Sequence, residues 1–427
     1  MKIYTYTLRS TLLLLAVFLL FSGAAIGQEK EPKEEKKKKE KWISRVQADT
    51  SSSLLNMDAV YSRPSLSFKK VPVAIGGYVE ANSLYTLEDG ISEGLSFQVP
   101  RLTLFVSASV KERLRFLTEI EFEEGGREIN IEFASMDILL HPVINLRGGI
   151  VLNPIGGFNQ NHDGPKWEFV KRPDMAATML PATFSNAGFG LFGKWSNKKW
   201  TLGYEAYLTN GFNNTIIDNP QNRTDLASVK SNIKRFEESS NGIPLVTAKI
   251  AVKNRIIGEL GVSYMGGVYN KFQEDGLTLD AKRRVDVFAI DFNTTIKKIN
   301  TYIVGEFAMV LVDVPATYTQ QYGVRQQGAF IDIVQPVLSR EIRFLRSKKA
   351  TLNLALRFDY VDWNVGSFNE TGTEIGDQVF AITPGISFRP WNQTVLRLNY
   401  RYQWQTDIIG NPPALASSWL FGLSTYF

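Results

Sequence analysis

The stretch that decides the fold is the C-terminal segment 393–427, QTVLRLNYRYQWQTDIIGNPPALASSWLFGLSTYF. Between residues 394 and 405 apolar and polar side chains alternate, which is typical of a β-strand with one apolar face and one wetted face. The apolar face ends in two tyrosines and a tryptophan, as expected where a strand leaves hydrocarbon at an aromatic girdle. The opposite face carries Arg397 and Arg401. This pattern predicts a strand between lipid and water.

The last strand repeats the alternation and ends on an aromatic residue. Its apolar face contains Trp419, Phe421, Leu423 and Phe427. A C-terminal strand of this kind resembles the assembly signal of bacterial outer-membrane barrels, so we expect outer-membrane lipid and the barrel assembly machinery to be partners. Only helices and closed barrels satisfy their backbone groups in lipid, and the mature sequence lacks a long apolar run. The sequence therefore predicts a closed barrel.

The N-terminal region reads as a targeting segment followed by an extension. Residues 1–27 combine Lys2 and Arg9 with a short apolar run and small residues before Gln28, which predicts a cleaved signal peptide. Residues 28–70 are interpreted as a charged and polar periplasmic extension. Within it, 29–41 is a lysine- and glutamate-rich run that is either flexible or a short helix or coiled coil. Residues 44–70 lack periodicity, which leaves a plug, a tether or no order as alternatives.

The charge balance excludes nucleic acid as a partner. The chain has 48 basic and 43 acidic residues, but without residues 1–41 these become 39 and 38. A nearly neutral chain has no electrostatic footprint for a polyanion. Any electrostatic function must therefore depend on where individual charges lie.

From residue 71 onward the period is two throughout, so residues 71–427 are predicted to form one all-β barrel. Seven tight connections alternate with eight long or open ones, among them 86–96, 153–186 and 212–243. Outer-membrane barrels have short periplasmic turns, long external loops and both termini in the periplasm. The sequence therefore predicts a transmembrane antiparallel barrel of about sixteen strands in the bacterial outer membrane, multi-pass, with a periplasmic N-terminus. A barrel of this size has an aqueous lumen.

The longest connection, 153–186, is predicted to fold inward. It is too rich in aromatic and other apolar residues to stay in water, and its prolines and glycines exclude a long helix or strand. The barrel interior offers a surface on which it can pack. The alternative is an external loop that covers a subunit contact.

The same region carries a family resemblance. The motifs are LRGG at 146–149, NPIGGFN at 153–159, His162, Pro165, RP at 172–173, LP at 180–181 and GFGL at 188–191. They resemble the phosphate-selective porin O and P family, whose members are trimeric sixteen-stranded barrels that conduct anions past arginines and lysines. The resemblance implies a homotrimeric porin for small anionic solutes, with phosphate and polyphosphate as candidates.

The resemblance also implies which cations form the anion path. On the lumen-facing parity of the strands these are Arg101, Arg115, Arg147, Lys194, Arg357, Arg397 and Arg401, and in the inward loop they are Lys166, Lys171 and Arg172. The same parity holds the acids Glu80, Glu119, Glu121, Glu132, Glu205, Glu259 and Asp359. Structural pairing with these acids is an equal interpretation, and a weakly selective general porin for small polar solutes is the alternative.

Catalysis is disfavoured because reactive groups are sparse. The chain has two histidines, His141 and His162, and neither has a ligand-spaced partner or a nucleophile at triad spacing. The sequence therefore predicts no catalytic site, metal site or cofactor. A structural barrel subunit of an outer-membrane complex is the remaining alternative, and single-channel conductance distinguishes it from a porin.

Overall fold

The computed structural model describes residues 43–47, 51, 53–68, 71–343 and 345–427. The predicted signal peptide at 1–27 and the charged run at 29–41 lie outside the described residues. Within the described ranges, the helices are all too short or too polar to cross a membrane.

Sixteen long strands form one antiparallel sheet that closes on itself. They are β1 Val73–Glu88, β2 Ile91–Val110, β3 Leu114–Glu123, β4 Glu128–His141, β5 Ile144–Leu152, β6 Ser185–Ser196, β7 Trp200–Thr209, β8 Leu245–Asn254, β9 Gly258–Val268, β10 Arg284–Ile296, β11 Thr301–Val312, β12 Arg325–Ile342, β13 Ser347–Asp362, β14 Gln378–Trp391, β15 Thr394–Thr406 and β16 Ala414–Tyr426. Each strand pairs with the next, and β16 pairs with β1 from Ala416↔Glu88 to Tyr426↔Tyr78. The predicted sixteen-stranded barrel is confirmed.

Alternation along each strand separates a lipid-facing surface from the interior. In β10, Val287 and Ala289 are 0% and 1% exposed. The alternate residues Phe288 and Ile290 are 44% and 47% exposed. Successive side chains of a strand point to opposite faces, so a period of two sends every second residue outward. Closure leaves none of the sixteen described barrel strands with an unpaired edge, as hydrocarbon requires.

The two ends of the barrel differ in their connections. At the turn end, the connections of two to four residues lie where tight turns were predicted, for example at residues 111–113 and 142–143. At the loop end the prediction of an open segment at 86–96 is wrong. There β1 and β2 continue into a two-residue turn, Asp89 and Gly90, with φ of 46° and 83°. These values suit the Asp-Gly pair of a tight hairpin, and mostly polar strand residues masked the hairpin in the sequence.

A segment that precedes the barrel runs back into it from the turn end. The strand Ile43–Val46 pairs with Ser65–Phe68, which in turn pairs with the start of β1 through Leu66↔Ile75. Between these two strands lie residues 53–64, here called the inner segment, with a 3-10 helix at Asn56–Tyr61. Leu55, Met57 and Val60 of this segment are buried. Part of the region without periodicity therefore packs inside the barrel as a plug.

The long loops carry short helices, of which Gly164–Lys166, Met175–Met179, Asn214–Ile216 and Leu226–Ser231 contain buried residues. The helix Ile233–Phe236 contains none, and the loop after β9 adds a small hairpin, Gln273–Glu274 with Leu277–Thr278. Apolar side chains of these loops meet apolar lumen-facing residues of β8 to β14 and form the apolar cluster. Its members include Phe158, Met179, Leu180, Phe184, Phe212, Leu226, Val287, Ala308, Val310, Phe330 and Val361.

Candidate functional site

The loop between β5 and β6 is held against one wall of the interior by its backbone. The amides of Gly157 and Phe158 donate to Glu306 Oε2 at 2.9 and 3.0 Å. The carbonyl oxygen of Gly156 accepts from Lys249 Nζ at 2.6 Å. Gly156 has φ of +65°, and a Cβ there would lie 1.7 Å from Glu306 Oε1, so this close approach requires glycine.

The same loop is bound by the opposite wall a few residues later. Arg397 Nη1 donates to the carbonyl oxygen of Phe169 at 2.7 Å, and Arg357 Nη1 donates to that of Lys171 at 2.8 Å. Because Lys249 and Glu306 belong to β8 and β11 while Arg357 and Arg397 belong to β13 and β15, the loop crosses the barrel interior.

The inner segment is locked to this loop through Arg63. Its guanidinium donates to Asp163 in the loop at 2.9 and 2.5 Å, and to Glu119 of β3 at 2.6 Å. Farther along, the Asn56 amide donates to Glu259 Oε1 at 2.7 Å, and Lys166 Nζ donates to the Ala59 carbonyl oxygen at 3.1 Å. Segment, loop and wall therefore form one buried polar assembly.

Each predicted wall cation has a carboxylate partner. The pairs are Arg101 with Glu80 (2.6 Å) and Glu121 (3.1 Å), Arg115 with Asp137 (2.5 Å), Arg147 with Asp137 (2.7 Å) and Glu205 (3.3 Å), Lys194 with Asp58 (2.8 Å), Arg357 with Asp332 (2.6 Å), Arg397 with Glu80 (3.3 Å), and Arg401 with Asp359 (3.0 Å) and Asp174. We call this set, with Arg63, Glu119 and Asp163, the charged belt.

Solvent reaches the cations of the charged belt unequally. The side chains of Arg115 and Lys194 are 33% and 37% exposed, and both line a cavity of about 370 Å³ between the inner segment and β3 to β7. The guanidinium groups of Arg147, Arg357, Arg397 and Arg401 are buried. Their immediate role in this structure is to pair with acids and hold the loop, and a contribution to an anion path stays a prediction.

The three predicted loop cations also differ. Lys166 Nζ lies 3.4 Å from Asp163, and burial lowers the pKa of Lys166. Although burial would raise the pKa of Asp163, the charges of Arg63 and Lys166 hold it below its usual range. This carboxylate therefore stays ionised between two cations.

Lys171 and Arg172 are not neutralised in this way. Among the described residues, neither has a carboxylate within 4.0 Å. Lys171 is exposed, yet desolvation by the surrounding barrel lowers its pKa, and the charge of Arg401 lowers it further. Arg172 Nε and Nη2 are buried with no hydrogen-bond partner in the described part of the chain. These two neighbours carry the unpaired positive charge of the loop.

Both histidines serve in local structure. His141 Nδ1 accepts from the Val143 amide at 3.3 Å in the turn after β4. His162 is buried, with Nδ1 2.9 Å from the Asn159 carbonyl oxygen and Nε2 3.5 Å from Glu119. The hydrogen bond to Asn159 fixes the His162 ring within its own loop.

The four residues of the predicted assembly signal lie on the outer surface. Trp419, Phe421, Leu423 and Phe427 are all exposed on the lipid-facing side of β16. The Phe427 amide donates to the Gly77 carbonyl oxygen at 3.0 Å, and its ring occupies the space where a Cβ of Gly77 would lie. The last residue thus covers the start of β1, while recognition by assembly machinery stays a prediction.

Sequence reasoning missed Arg63 and the inner segment as parts of the site. No periodic signal marks residues 53–64, because their side chains meet partners on several strands instead of one face. It also missed Glu306, whose side chain binds two loop amides. A glutamate at a lumen-facing position has no local pattern that reveals a backbone partner far away in sequence.

Sequence comparisons with known proteins give one partial match and no family. No family model matches the chain. An uncharacterized protein of Aquifex aeolicus (strain VF5) is 31% identical over 224 residues, which is 49% of this chain and 47% of that protein. The chain therefore spans about half the length of this relative.

Two solved structures share the fold at low sequence identity. Salmonella typhi OmpF, in complex with daunomycin, matches with a TM-score of 0.54 and 12% identity over 83% of this chain and 97% of its own. Pseudomonas putida OprB matches with a TM-score of 0.51 and 8% identity over 83% and 94%. Both are outer-membrane porins. The closed sheet, its apolar exterior and these two matches give the chain the sixteen-stranded porin fold of a multi-pass β-barrel in the bacterial outer membrane.

Proposed function

We propose that the protein is a passive diffusion channel of the outer membrane. The observation that carries the proposal is a closed sixteen-stranded sheet whose interior holds the charged belt on one side and is crossed by a loop from wall to wall. A barrel of this width encloses an aqueous lumen, and a loop inside it narrows the passage. The proposal assigns transport and no catalytic step.

Single-channel recording in a planar bilayer tests this function directly. A channel gives discrete conductance steps when the purified full chain inserts. Inserted protein that gives no steps would favour the alternative of a structural barrel subunit. Insertion itself is checked by protease protection of the barrel in vesicles, so absence of current is not confused with absence of protein.

We further infer that the channel prefers small anions because of Lys171 and Arg172. The buried wall arginines are paired with acids, so their charges largely cancel, whereas these two loop cations have no ion pair among the described residues. Unpaired positive charge at a narrow passage attracts anions and repels cations. Such attraction is screened over about 10 Å at 0.1 M salt.

The anion preference predicts a measurable reversal potential. In a salt gradient the native chain should show an anion-selective offset that decreases as ionic strength rises. The double variant Lys171→Gln, Arg172→Gln should lose most of this offset while it keeps its conductance. Lys198→Gln is the matched control, because Lys198 is an exposed lysine in a turn at the opposite end of the barrel. A native channel without offset would contradict anion preference and favour the weakly selective general porin.

Phosphate or polyphosphate as the preferred anion is supported by the resemblance of residues 134–212 to phosphate-selective porins. A preference for phosphate predicts that phosphate blocks the chloride current at concentrations at which sulfate does not. The proposal of a homotrimer rests on the same resemblance. The mass of the detergent-solubilised complex tests the number of subunits.

A further inference from the structure

We propose that Glu121, Glu123 and Glu132 bind a calcium ion at the loop end of the interior. Each offers one carboxylate oxygen, and the three oxygens lie within 4.8 Å of one another. Calcium takes oxygen ligands at about 2.4 Å, so two oxygens on opposite sides of the ion lie at most about 4.8 Å apart. The three carboxylates are not among the residues proposed for anion preference, although the charge of Arg172 reaches Glu121, and calcium binding does not depend on conduction.

A β-bulge brings Glu132 into this cluster. In the pairing of β3 with β4, Glu119 faces Phe133 and Ile120 faces Ile131, so Glu132 is an extra residue without a partner. Consequently Glu132 and Phe133, although adjacent, are both buried in the interior. Bulges re-aim side chains in this way, and they are frequent next to functional sites.

Glu121 has an oxygen available for a ligand. Its side chain is 0% exposed, and Oε1 accepts from Thr103 at 3.3 Å and from Tyr78 at 3.5 Å and lies 3.1 Å from Arg101 Nε. These partners belong to β1 and β2, on one side of β3. Oε2, the oxygen left on the side of β4 where Glu132 lies, has no hydrogen-bond partner among the described residues. A buried, unpartnered carboxylate oxygen beside two other carboxylates requires a cation or a shared proton.

Positive groups around the cluster do not neutralise it. Glu123 and Glu132 make no ion pair within the described ranges, and the one ion pair of Glu121, to Arg101, is shared with Glu80. Arg172 interacts with Glu121 only at longer range, without an ion pair in the described part of the chain. Lys230 and Arg235 interact with Glu132 in the same way. A divalent ion supplies the missing charge.

Two orienting hydrogen bonds and an entry path complete the site. The Thr183 hydroxyl donates to Glu132, and Asn130 Nδ2 donates to Glu123 Oε2 at 3.1 Å, so both acids are oriented by neighbours. Glu123, Glu124 and Glu128 line a cavity of about 610 Å³ between the middle of β2 and the loop ends of β3 and β4. An ion from the loop end can therefore reach Glu123, the partly exposed member of the cluster.

Calorimetric titration of the purified full chain with CaCl2 tests the assignment. We expect one site per chain with a dissociation constant on the order of 0.1 to 1 mM, as for extracellular calcium modules. Glu123→Gln and Glu132→Gln should each weaken binding at least about tenfold. Glu124→Gln is the matched control, because Glu124 lines the same cavity but lies outside the cluster. It should bind calcium as the native chain does.

Thermal unfolding gives a second measurement that separates lost binding from lost folding. About 10 mM CaCl2 should raise the unfolding temperature of the native chain and of Glu124→Gln equally, and raise that of Glu123→Gln clearly less, since the stabilisation grows with the ratio of ligand concentration to dissociation constant. No heat of binding to the native chain at that concentration would overturn the proposal and indicate a proton shared by Glu121 and Glu132. Equal affinity in Glu123→Gln and the native chain would overturn it too.

Discussion

The barrel interior contains two largely buried regions that are held by different interactions. The charged belt joins β1 to β7 with β12, β13 and β15 through cations that are paired with acids. The apolar cluster joins the loop-end halves of β8 to β14 to Phe184, Leu226 and other loop residues by packing alone. Both regions fix loops inside the same closed sheet. The inward face of a barrel can therefore be completed either by charge pairs or by a hydrophobic core.

The two kinds of interaction predict different costs when a single side chain is removed. Removal of one partner of a buried ion pair leaves an uncompensated charge, which costs about 3 to 5 kcal/mol. Removal of a buried apolar side chain costs the lost transfer free energy and a cavity, about 2 to 5 kcal/mol, and less where a loop can collapse into the space. A single substitution in the charged belt should therefore lower the free energy of unfolding more than a single substitution in the apolar cluster.

The largest effect is expected for Arg63→Ala. This variant leaves Asp163 and Glu119 buried without their shared cation, so binding of the inner segment should weaken by about 3 to 5 kcal/mol. Limited proteolysis should then cut within residues 53–64 while the barrel stays resistant. Arg45→Ala, at an exposed position of the preceding strand, is the control and should leave that segment protected. Equal protection of both variants would mean that the charge pairs do not hold the segment.

An intermediate effect is expected for Leu226→Ala. Leu226 is 0% exposed within the apolar cluster, and its truncation should lower the free energy of unfolding by about 2 to 4 kcal/mol. Chemical denaturation in detergent measures the loss. Ile233→Ala in the same loop is the control, because Ile233 is 82% exposed and its truncation removes no buried contact. A similar loss in both variants would show that the loop contributes by its fold and not by its buried side chains.

The smallest effect on the interior is expected from deletion of Phe427, which belongs to neither region. Its ring lies outside the barrel over Gly77. The amount of protein assembled in the outer membrane should decrease, while molecules that do insert unfold at the native temperature and conduct normally. Quantitative blotting of outer-membrane fractions measures assembly, with the native chain as the reference. Unchanged assembly of the shortened chain would argue against the assembly-signal interpretation.

The strands could be predicted because alternation survives whichever kind of residue faces inward. Val287 and Asp291 occupy equivalent inward positions of β10, one in the apolar cluster and one paired with Lys249, and both preserve the period of two. The partner of an inward residue could not be predicted, since it depends on which loop reaches it. Arg63 has no periodic neighbours, and its partners come from β3 and from the loop after β5. The hairpin at Asp89 was missed because its strands extend with mostly polar residues.

The position of the inner segment also constrains the order in which the molecule can be built. Its contacts span long stretches of chain, 56 residues to Glu119, 100 to Asp163 and 203 to Glu259. Contacts of such separation form slowly, because the loop-closure entropy must be overcome before they stabilise anything. The sheet itself closes only when β16, the last strand made, pairs with β1. The inner segment must therefore lie within the growing ring of strands before closure, or enter the barrel afterwards through the turn end. In either case, one of the first parts of the chain to be synthesised is among the last to reach its final contacts.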